Sequence, residues 1–380
     1  MARFTFTLSF TLSLLAGLAS AAFDITSKNN VAVYYGQGPN QKSITTYCAD
    51  PTIDIIILSF VNLFPQQANG YPGTNFGNQC WATAYSGPGS DHTKDALLMC
   101  PQLAQDLYTC RQTSDKKILL SLGGDPAGAD YQLTGASAGT AFADLLWGIF
   151  GPRDSAWVAA GKPRPFDYTN STAGDGIVRQ FSVDGFDLDI ERAPTDSSAG
   201  YIALAKRLRA LYALNGDKNW YLTASPQCVV PDPNVGATLQ SVKFDMLFVQ
   251  FYNTAACSAR NWVTANKNYV PGGKEISSGF SFNTWDSWLS SSTFNKATPI
   301  LLTLPGSNSA ATSGAYISVA NTVQLASAYY CNSRFIGIGV WDATRAEESI
   351  ASSRYYFQNA KVMLKAAGLD TRLSCVTVTA

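Results

Sequence analysis

The sequence is poor in the residues that many catalytic and metal sites use, beginning with histidine. It contains one histidine, His92, within a Gly/Pro/Ser/Asp-rich stretch that is typical of a surface loop. A single histidine excludes His-clustered metal sites and leaves a Ser-His-Asp triad only one candidate base. None of the eight cysteines forms a Cys-x-x-Cys pair, so zinc-ribbon and thioredoxin-like motifs are absent as well.

Charge is also scarce, and it is balanced. Lys plus Arg and Asp plus Glu each number 27, and charged residues make up 14% of the chain, against about 25% in an average globular protein. The absence of a basic excess argues against nucleic-acid binding. The hydrophobic share of 46% argues against disorder, so a folded globular protein is expected.

Long apolar runs are missing beyond the first residues of the chain. The longest later run, 54–64, is too short for a bilayer span of about 20 residues, so no membrane association is expected. Residues 1–21 combine Arg3, an apolar stretch and a final Ala-Ser-Ala, which is the pattern of a secretory signal peptide rather than a membrane anchor. We therefore predict cleavage after Ala21 or Ala22 and a secreted protein, either extracellular or in the cell wall.

The cysteines agree with secretion. An even number of cysteines in a secreted chain suggests disulfide bonds, but eight cysteines allow on the order of a hundred pairings and the spacing does not choose among them. Asn170-Ser171-Thr172 is an N-glycosylation sequon, so we expect a glycan on Asn170.

Short β-rich runs recur along the chain, most of them continuously apolar, as strands buried on both faces are. There are eight, at 31–36, 53–60, 117–123, 183–190, 220–225, 245–252, 298–305 and 336–341. Stretches with helical spacing lie between them, for example at 199–214 and 313–330. Eight strands alternating with helices predict an α/β fold, the (β/α)8 barrel. An open doubly wound sheet would want a GxGxxG turn after the first strand, and Pro39 breaks that pattern.

In such a barrel the active site lies at the carboxyl ends of the strands. The side chains expected there are mostly aromatic, amide and carboxylate, with no lysine or arginine: Tyr34, Tyr35, Gln37, Phe60, Asn62, Asp189, Glu191, Gln227, Gln250, Tyr252, Trp341 and Asp342. Phosphate substrates want cationic or N–H-rich sites. The set suits a neutral polyol such as a sugar.

The fourth strand carries a run of acidic residues. Asp187, Asp189 and Glu191 alternate with apolar residues and therefore share one face. The apolar face packs on helices, so the acidic face points into the barrel, with neighbouring carboxylates about 6.6 Å apart. They cannot all ionise there and should titrate as a coupled set, which suggests function. The alternatives are a structural cluster or a cation site, although calcium prefers flexible loop oxygens. By parity Asp184 falls outside the set.

The run DGFDLDIE (184–191) fits the DxxDxDxE signature of family 18 glycoside hydrolases. The chain resembles the class III (hevamine-type) chitinases of that family, including fungal secreted members. The resemblance runs from about residue 31 to 345 and covers VAVYYGQ, ILSFVN, SLGG, DGFDLDIE, LTASPQC, FDMLFVQFYN, LTLPG and GIGVWD, in that order. It departs after SLGG, where Asp125 and Pro126 stand in place of a frequent glycine.

The resemblance implies hydrolysis of β-1,4-linked N-acetylglucosamine in which the substrate's own acetamido oxygen attacks the anomeric carbon. It implies that Glu191 protonates the leaving oxygen and later activates water, that Asp189 holds the acetamido N–H, and that Asp187 shares a proton with Asp189. It implies that the Tyr252 hydroxyl donates a hydrogen bond to the acetamido carbonyl and that Trp341 forms an apolar floor beneath the sugar. Sugar-contacting positions are implied for Tyr34, Gln37, Phe60, Gly124 and Gln250.

Several of these residues have a structural alternative. Gly124 could serve only a tight turn, Tyr34 and Trp341 could fill the barrel, and Gln250 could form hydrogen bonds inside it rather than to a ligand.

The resemblance also implies features of the covalent structure. It implies the disulfides Cys48–Cys110 and Cys228–Cys257, with Cys80–Cys100 and Cys331–Cys375 as the other two pairs. It implies non-proline cis peptide bonds at Ser59–Phe60 and Trp341–Asp342. Only about 30 residues separate the last two strands, too few for the α+β domain that deep-cleft relatives insert there. We therefore predict a single domain over 22–380, an open groove and endo-type cleavage.

Three functions stay open at this point. The leading prediction is a secreted, monomeric endochitinase that acts on chitin and chitooligosaccharides, with no cofactor, metal, nucleic-acid or membrane partner. An endo-β-N-acetylglucosaminidase acting on N-glycans shares DxxDxDxE, although LTASPQC and VQFYN favour the chitinase. A non-catalytic chitin-binding lectin or inhibitor would tend to lose the terminal Glu or the Tyr, and both Glu191 and Tyr252 are present.

Overall fold

Eight parallel β-strands close into a barrel, as the sequence predicts. They are β1 (Asn30–Tyr35), β2 (Ile55–Leu63), β3 (Lys117–Gly124), β4 (Gly185–Ile190), β5 (Tyr221–Ala224), β6 (Met246–Gln250), β7 (Ile300–Pro305) and β8 (Phe335–Trp341). Each strand pairs with the next in chain order, and β8 pairs back with β1, with Asn30 opposite Gly337. The fold is therefore a (β/α)8 barrel, and the open doubly wound sheet is excluded because the pairing of β8 with β1 closes the ring and leaves no edge among the eight strands.

Helices surround the barrel. They are α1 (Ile44–Ala49), α2 (Pro101–Thr113), α3 (Ala136–Phe150), α4 (Ser155–Ala159), α5 (Ala199–Ala213), α6 (Gly236–Ser241), α7 (Ala259–Ala265), α8 (Phe282–Ser290), α9 (Val319–Tyr329), α10 (Ala343–Ala346) and α11 (Tyr356–Leu369). The helix predicted at 199–214 is confirmed as α5. The helix predicted from 313 begins only at Val319, because the Ser318 side chain accepts a hydrogen bond from the Asn321 N–H and caps α9 there.

Shorter elements decorate the connections. Three 3-10 turns form at Gly77–Gln79, His92–Lys94 and Asn308–Ala310. A two-residue strand, Gly73–Thr74, pairs antiparallel with β2, and Tyr168–Thr169 pairs with Val178–Arg179. Between β7 and β8 the chain forms only one 3-10 turn and α9. The barrel therefore carries no α+β domain at that position, as predicted.

The structure is a computed structural model that describes residues 23–170, 174–373 and 375. The predicted signal peptide at 1–21 lies outside the described residues, as do Ser171 and Thr172 of the sequon. Asn170 is the last described residue before that gap, and it is partly buried. Within the described part of the chain, no helix has the length and apolar character needed to cross a bilayer.

The core has two parts because side chains alternate along each strand. The larger part lies between the strands and the helices and includes Phe186, Leu188 and Ile190 of β4. The smaller part fills the barrel interior, with Tyr34, Ile57 and Phe248 among its members. The apolar residues of β4 thus face the helices, so that the acidic residues between them face the interior, as parity predicts.

All four disulfides implied by the resemblance are confirmed. Cys48–Cys110 joins α1 to α2, and Cys228–Cys257 joins the segments that follow β5 and β6. Cys80–Cys100 closes a loop between β2 and β3, and Cys331–Cys375 ties the end of α9 to the C-terminal segment. The non-proline cis peptide bonds at Ser59–Phe60 and Trp341–Asp342 are also confirmed.

Candidate active site

Asp187 is the deepest of the three acidic residues, and it lies among hydroxyl groups. Its side chain is fully buried and accepts hydrogen bonds from Ser121 Oγ at 2.8 Å, Thr223 Oγ1 at 2.7 Å and Ser225 Oγ at 2.8 Å. Burial raises the pKa of Asp187, and the three hydroxyl hydrogen bonds oppose that rise. The Tyr34 hydroxyl extends the network by a hydrogen bond with Ser225 Oγ.

Gln250 joins the other two acidic residues. Its side-chain amide nitrogen lies 2.8 Å from Asp189 Oδ1 and 3.0 Å from Glu191 Oε1, and it also reaches the Ser225 carbonyl oxygen at 3.1 Å. The side chain therefore forms hydrogen bonds inside the barrel and holds both carboxylates at the same time. A β6 side chain thus bridges a carboxylate on β4, Asp189, and the carboxylate of the residue that follows the strand, Glu191.

The environment of this carboxylate pair favours protonation. Burial raises the pKa of Asp189 well above its usual range, and the charges of Glu191 and Asp187 raise it further. Burial also raises the pKa of Glu191, with Asp125 and Asp232 contributing by their charges, although the Gln250 hydrogen bond opposes the rise. The pair can therefore retain a proton that exposed carboxylates have already lost.

A tyrosine that no motif singles out fixes the backbone at Glu191. The Tyr131 hydroxyl accepts a hydrogen bond from the Glu191 N–H at 2.9 Å and donates one to the Gly124 carbonyl oxygen at 2.7 Å. Tyr131 is fully buried and follows β3. It therefore connects the carboxyl ends of β3 and β4 beneath the site.

A cleft of about 420 Å³ opens directly over the carboxylate pair. It is lined by Phe60, Asp125, Asp189, Glu191, Gln250, Tyr252, Asn253, Ser309, Ala310, Ala311, Thr312 and Trp341. A second cavity of about 110 Å³ adjoins it, sharing Phe60, Asp125 and Trp341 and adding Gln37, Asn62, Asn75, Gly123, Gly128 and Ala129. Among these lining residues there is no lysine or arginine, in agreement with the residue set predicted at the strand ends.

Aromatic rings form the apolar part of the cleft. Trp341 and Phe60 stack with ring centroids 5.8 Å apart, and Tyr34 packs edge-on against Trp341 with centroids 5.5 Å apart. Gly124, with φ of +91°, lies so close to Phe60 that an added Cβ would approach the ring to 2.9 Å. Glycine is therefore required at position 124 by both the backbone conformation and the Phe60 ring.

The structure brings most of the predicted site residues together. The large cleft is lined by Asp189, Glu191, Gln250, Tyr252, Trp341 and Phe60. Gln37 lines the smaller cavity, where its amide nitrogen donates to the Ser59 and Asn75 carbonyl oxygens at 2.8 and 2.9 Å. Asp187, Tyr34 and Gly124 lie outside the lining of both. Tyr34 is 2% exposed, which gives it a position beneath the cleft rather than in its wall.

Other lining residues were not identified from the sequence as site residues. Asp125 was noted only as a departure from the resemblance, yet it lines both cavities. Asn253 directly follows Tyr252 in the QFYN motif, and this adjacency is the signal that could have identified it. Residues 309–312 lie outside every motif. Within the described residues, no group of three or more His, Cys, Asp or Glu side chains is arranged to hold a metal ion.

Comparison with known proteins identifies the family of this chain. Residues 30–360 match the model of glycosyl hydrolases family 18. The chain belongs to this family. It is 38% identical over 353 residues to Endochitinase A of Emericella nidulans, covering 92% of this chain and 33% of that protein. It is also 38% identical over 343 residues to Endochitinase A of Aspergillus niger, covering 89% of this chain and 25% of the relative. The chain thus spans a third or less of the length of these curated relatives.

Solved structures share the barrel fold of this chain. The ICChI chitinase from Ipomoea carnea superposes with a TM-score of 0.62 at 24% identity, over 88% of this chain and 99% of that one. The xylanase and α-amylase inhibitor protein XAIP-II from Scadoxus multiflorus superposes with a TM-score of 0.63, also at 24% identity, over 88% and 97% of the two chains. One of these two proteins is called a chitinase and the other an inhibitor, so the shared fold does not determine the function.

Proposed function

We propose that this chain is a secreted endochitinase, which hydrolyses β-1,4 bonds between N-acetylglucosamine units of chitin and chitooligosaccharides with retention of configuration. The observation that carries the proposal is the pairing of Asp189 and Glu191 by Gln250 at the base of an open cleft. The endochitinase names of the most similar curated relatives support the same substrate class.

Glu191 begins the proposed reaction as an acid. It transfers its proton to the glycosidic oxygen while the bond from that oxygen to the anomeric carbon breaks. The acetamido oxygen of the same sugar forms a bond to the anomeric carbon and gives a cyclic oxazolinium ion. The pKa of Glu191, raised chiefly by burial, keeps the proton available for this step.

Water completes the cycle. The Glu191 carboxylate takes a proton from a water molecule, whose oxygen bonds to the anomeric carbon as the acetamido oxygen leaves. Two displacements at one carbon restore the original configuration, so the first product is the β-anomer. Glu191 ends protonated, ready for another substrate.

Asp189 and Tyr252 hold the acetamido group in this scheme. Asp189 accepts a hydrogen bond from the acetamido N–H and balances the positive charge of the oxazolinium ion. It shares a proton with Asp187 beneath it. Burial, followed by the charges of Asp189 and Glu191, raises the pKa of Tyr252 well above its usual range. Its hydroxyl therefore stays protonated and donates to the acetamido carbonyl, while Trp341 provides the apolar floor under the ring.

The complete residue set favours an enzyme over a lectin or an inhibitor. Glu191 and Tyr252, the residues that a non-catalytic barrel tends to lose, both line the cleft. The connection between β7 and β8 adds no α+β domain beside the groove, which supports internal cleavage over release of units from chain ends.

Processing and surroundings complete the proposal. Signal cleavage after Ala21 or Ala22 would release the chain, whose single catalytic domain would act outside the cell as a monomer, with no cofactor. The four disulfides suit an oxidising compartment. Asn170 would carry a glycan.

The test is a time course on N-acetylchitopentaose, with products sized and their anomers read, beside the Glu191→Gln variant. We expect rapid internal cleavage that releases the β-anomer first, and a loss of rate of about 10²- to 10⁴-fold in the variant. No cleavage by folded wild-type protein would reject the chitinase. A glycoprotein gel-shift assay and a binding titration with the same pentasaccharide would then separate the N-glycan enzyme from the lectin.

A further inference from the structure

One wall of the large cleft comes from residues 307–312, here called the wall loop. This loop follows β7 and contains the 3-10 turn Asn308–Ala310. Four of its residues line the cleft: Ser309, Ala310, Ala311 and Thr312. The wall loop therefore forms the side of the cleft that the strand ends do not supply.

The start of the wall loop is held against β8 and α10. The Gly306 N–H donates to the Trp341 carbonyl oxygen at 2.7 Å. A Cβ at position 306 would lie 2.7 Å from the backbone of Ala346, so this close approach requires glycine. The wall loop thus begins in direct contact with the residue proposed as the floor of the site.

The far end of the wall loop is held by Asn253. Its Oδ1 accepts two hydrogen bonds from Thr312, from the N–H at 2.9 Å and from Oγ1 at 3.1 Å. Asn253 adopts φ of +61°, a conformation that asparagine tolerates better than most residues. Since Asn253 directly follows Tyr252, this contact relates the wall loop to the tyrosine that is proposed to hold the acetamido group.

Glu348 holds the middle of the wall loop from outside the cleft. Its Oε2 accepts hydrogen bonds from Ser307 Oγ, at 2.8 Å, and from Ser309 Oγ. Its Oε1 lies 2.9 Å from Arg345 Nη1, so one carboxylate connects the loop to a cation just C-terminal to Trp341. Glu348 does not line either cavity.

These contacts engage the three hydroxyl groups of the wall loop within the protein. The hydroxyls of Ser307 and Ser309 engage Glu348, and the Thr312 hydroxyl engages Asn253. Ala310 and Ala311, which carry no polar side-chain atoms, line the cleft beside them. With its hydroxyl donors already engaged, the wall loop is expected to affect a ligand mainly through its position.

We propose that Asn253 and Glu348 are positioning residues, which hold the wall loop at a fixed distance from Tyr252 and Trp341 and thereby set the affinity for the sugar chain between them. The proposal rests on the proposed function, since it assumes a sugar chain in this cleft. Neither residue transfers a proton. Their loss should therefore weaken binding more than it slows the chemical step.

Two matched pairs of variants test this on N-acetylchitopentaose. Asn253→Gly removes the side chain while tolerating the positive φ, and Asn253→Asp keeps an acceptor oxygen in the same place. Glu348→Ala removes the carboxylate, and Glu348→Gln keeps acceptor oxygen. We expect Asn253→Gly and Glu348→Ala to raise KM about three- to tenfold with kcat within about twofold of wild type, as for a lost hydrogen bond that acts on binding. The Asp and Gln variants should restore most of the affinity.

Controls separate this proposal from the fold and from the proposed function. Asp370→Ala breaks a remote ion pair with Arg372 and should leave KM unchanged, and thermal unfolding should show every variant folded. The positioning role is overturned if KM stays at the wild-type value in Asn253→Gly and Glu348→Ala, or if kcat falls instead. If wild type does not turn over the pentasaccharide, the proposed function fails. The same four variants are then compared by the Kd for that sugar, and unchanged Kd values overturn the positioning role independently.

Discussion

The two ends of β4 bury carboxylates to a similar extent but shift their pKa values in opposite directions. Asp184, just before the strand, is 2% exposed, and Asp189, near its other end, is 4% exposed. Yet the pKa of Asp184 is lowered from its usual value, whereas that of Asp189 is raised well above it. Burial by itself therefore does not determine the charge state of these side chains.

Cations make the difference. Burial opposes ionisation of Asp184, but Arg111 Nη2 lies 2.8 Å from its Oδ2 and Lys218 Nζ lies 3.0 Å from its Oδ1. The two charges outweigh the cost of burial and lower the pKa. Asp189 accepts a hydrogen bond from the neutral Gln250 amide, and the charged neighbours that shift its pKa, Glu191 and Asp187, are acidic.

The same division holds elsewhere around the barrel. Asp54, just before β2, pairs with Lys361, and Asp245, just before β6, pairs with Arg209. Acidic residues at the amino ends of strands thus have cationic partners. The clefts at the carboxyl ends are lined by acidic residues without a lysine or arginine among them. One end of the barrel pairs its carboxylates with cations, and the other buries carboxylates without cations, as the proposed proton transfer requires.

The largest expected effect on stability follows from removing the charge of Asp184. Asp184→Asn keeps the shape but leaves Arg111 and Lys218 without their partner, so we expect the free energy of unfolding to fall by about 3 kcal/mol. Denaturant unfolding measures it. The matched control is Asp144→Asn, which breaks an exposed pair with Arg207 and should cost less than about 1 kcal/mol. If both variants lose the same free energy of unfolding, the buried pairing of Asp184 is no more stabilising than an exposed ion pair. Activity per folded molecule should be unchanged in both variants.

A smaller effect on the free energy of unfolding, with the opposite sign, is expected from substituting Asp189 at the other end of β4. Because its pKa is raised, Asp189 binds more protons in the folded state than in the unfolded state, between its ordinary pKa and the raised value. Stability is therefore lost as pH rises through that window. Asp189→Asn removes the contribution of this carboxyl, and at about pH 8 the variant should be more stable than wild type by about 1 kcal/mol or more, while being inactive.

The measurement is the melting temperature of both proteins from about pH 4 to about pH 8. The curves should approach each other at the acid end and separate as pH rises. A variant that is less stable than wild type at the alkaline end would show that Asp189 is stabilised as an anion, like Asp184, and the contrast along β4 would fail.

The sequence predicts much of this arrangement because the signals are local. Strands buried on both faces are apolar throughout, so eight of them could be recognised. Alternation along β4 places Asp187 and Asp189 inside the barrel and removes Asp184 from the set. The disulfides and the cis peptide bonds came from the family resemblance rather than from any pattern in the residues themselves.

What escaped prediction depends on contacts between distant parts of the chain. The cations beside Asp184 come from positions 111 and 218, and no sequence pattern pairs them with it. Tyr131 reaches Glu191 across 60 residues, and Thr312 reaches Asn253 across 59. The sequence also does not show how deeply a side chain is buried. Tyr34 lies near a strand end with its side chain inside the barrel, and the packing of Trp341 against the Tyr34 ring decides whether Tyr34 contacts a ligand.

The smallest effect is expected for Tyr34, and it decides whether the Tyr34 hydroxyl lies beneath the cleft or contacts the sugar. Tyr34→Phe removes the hydrogen bond to Ser225, which remains a donor to Asp187. If Tyr34 lies beneath the cleft, the free energy of unfolding should fall by about 1 kcal/mol, as for one buried hydrogen bond, and KM should stay at the wild-type value. If instead its hydroxyl contacts the sugar, KM should rise about tenfold. Steady-state kinetics on N-acetylchitopentaose together with denaturant unfolding decide between them. A rise in KM would mean that the hydroxyl network around Asp187 extends to the substrate, so that the active end of β4 would differ from the Asp184 end in ligand access as well as in charge.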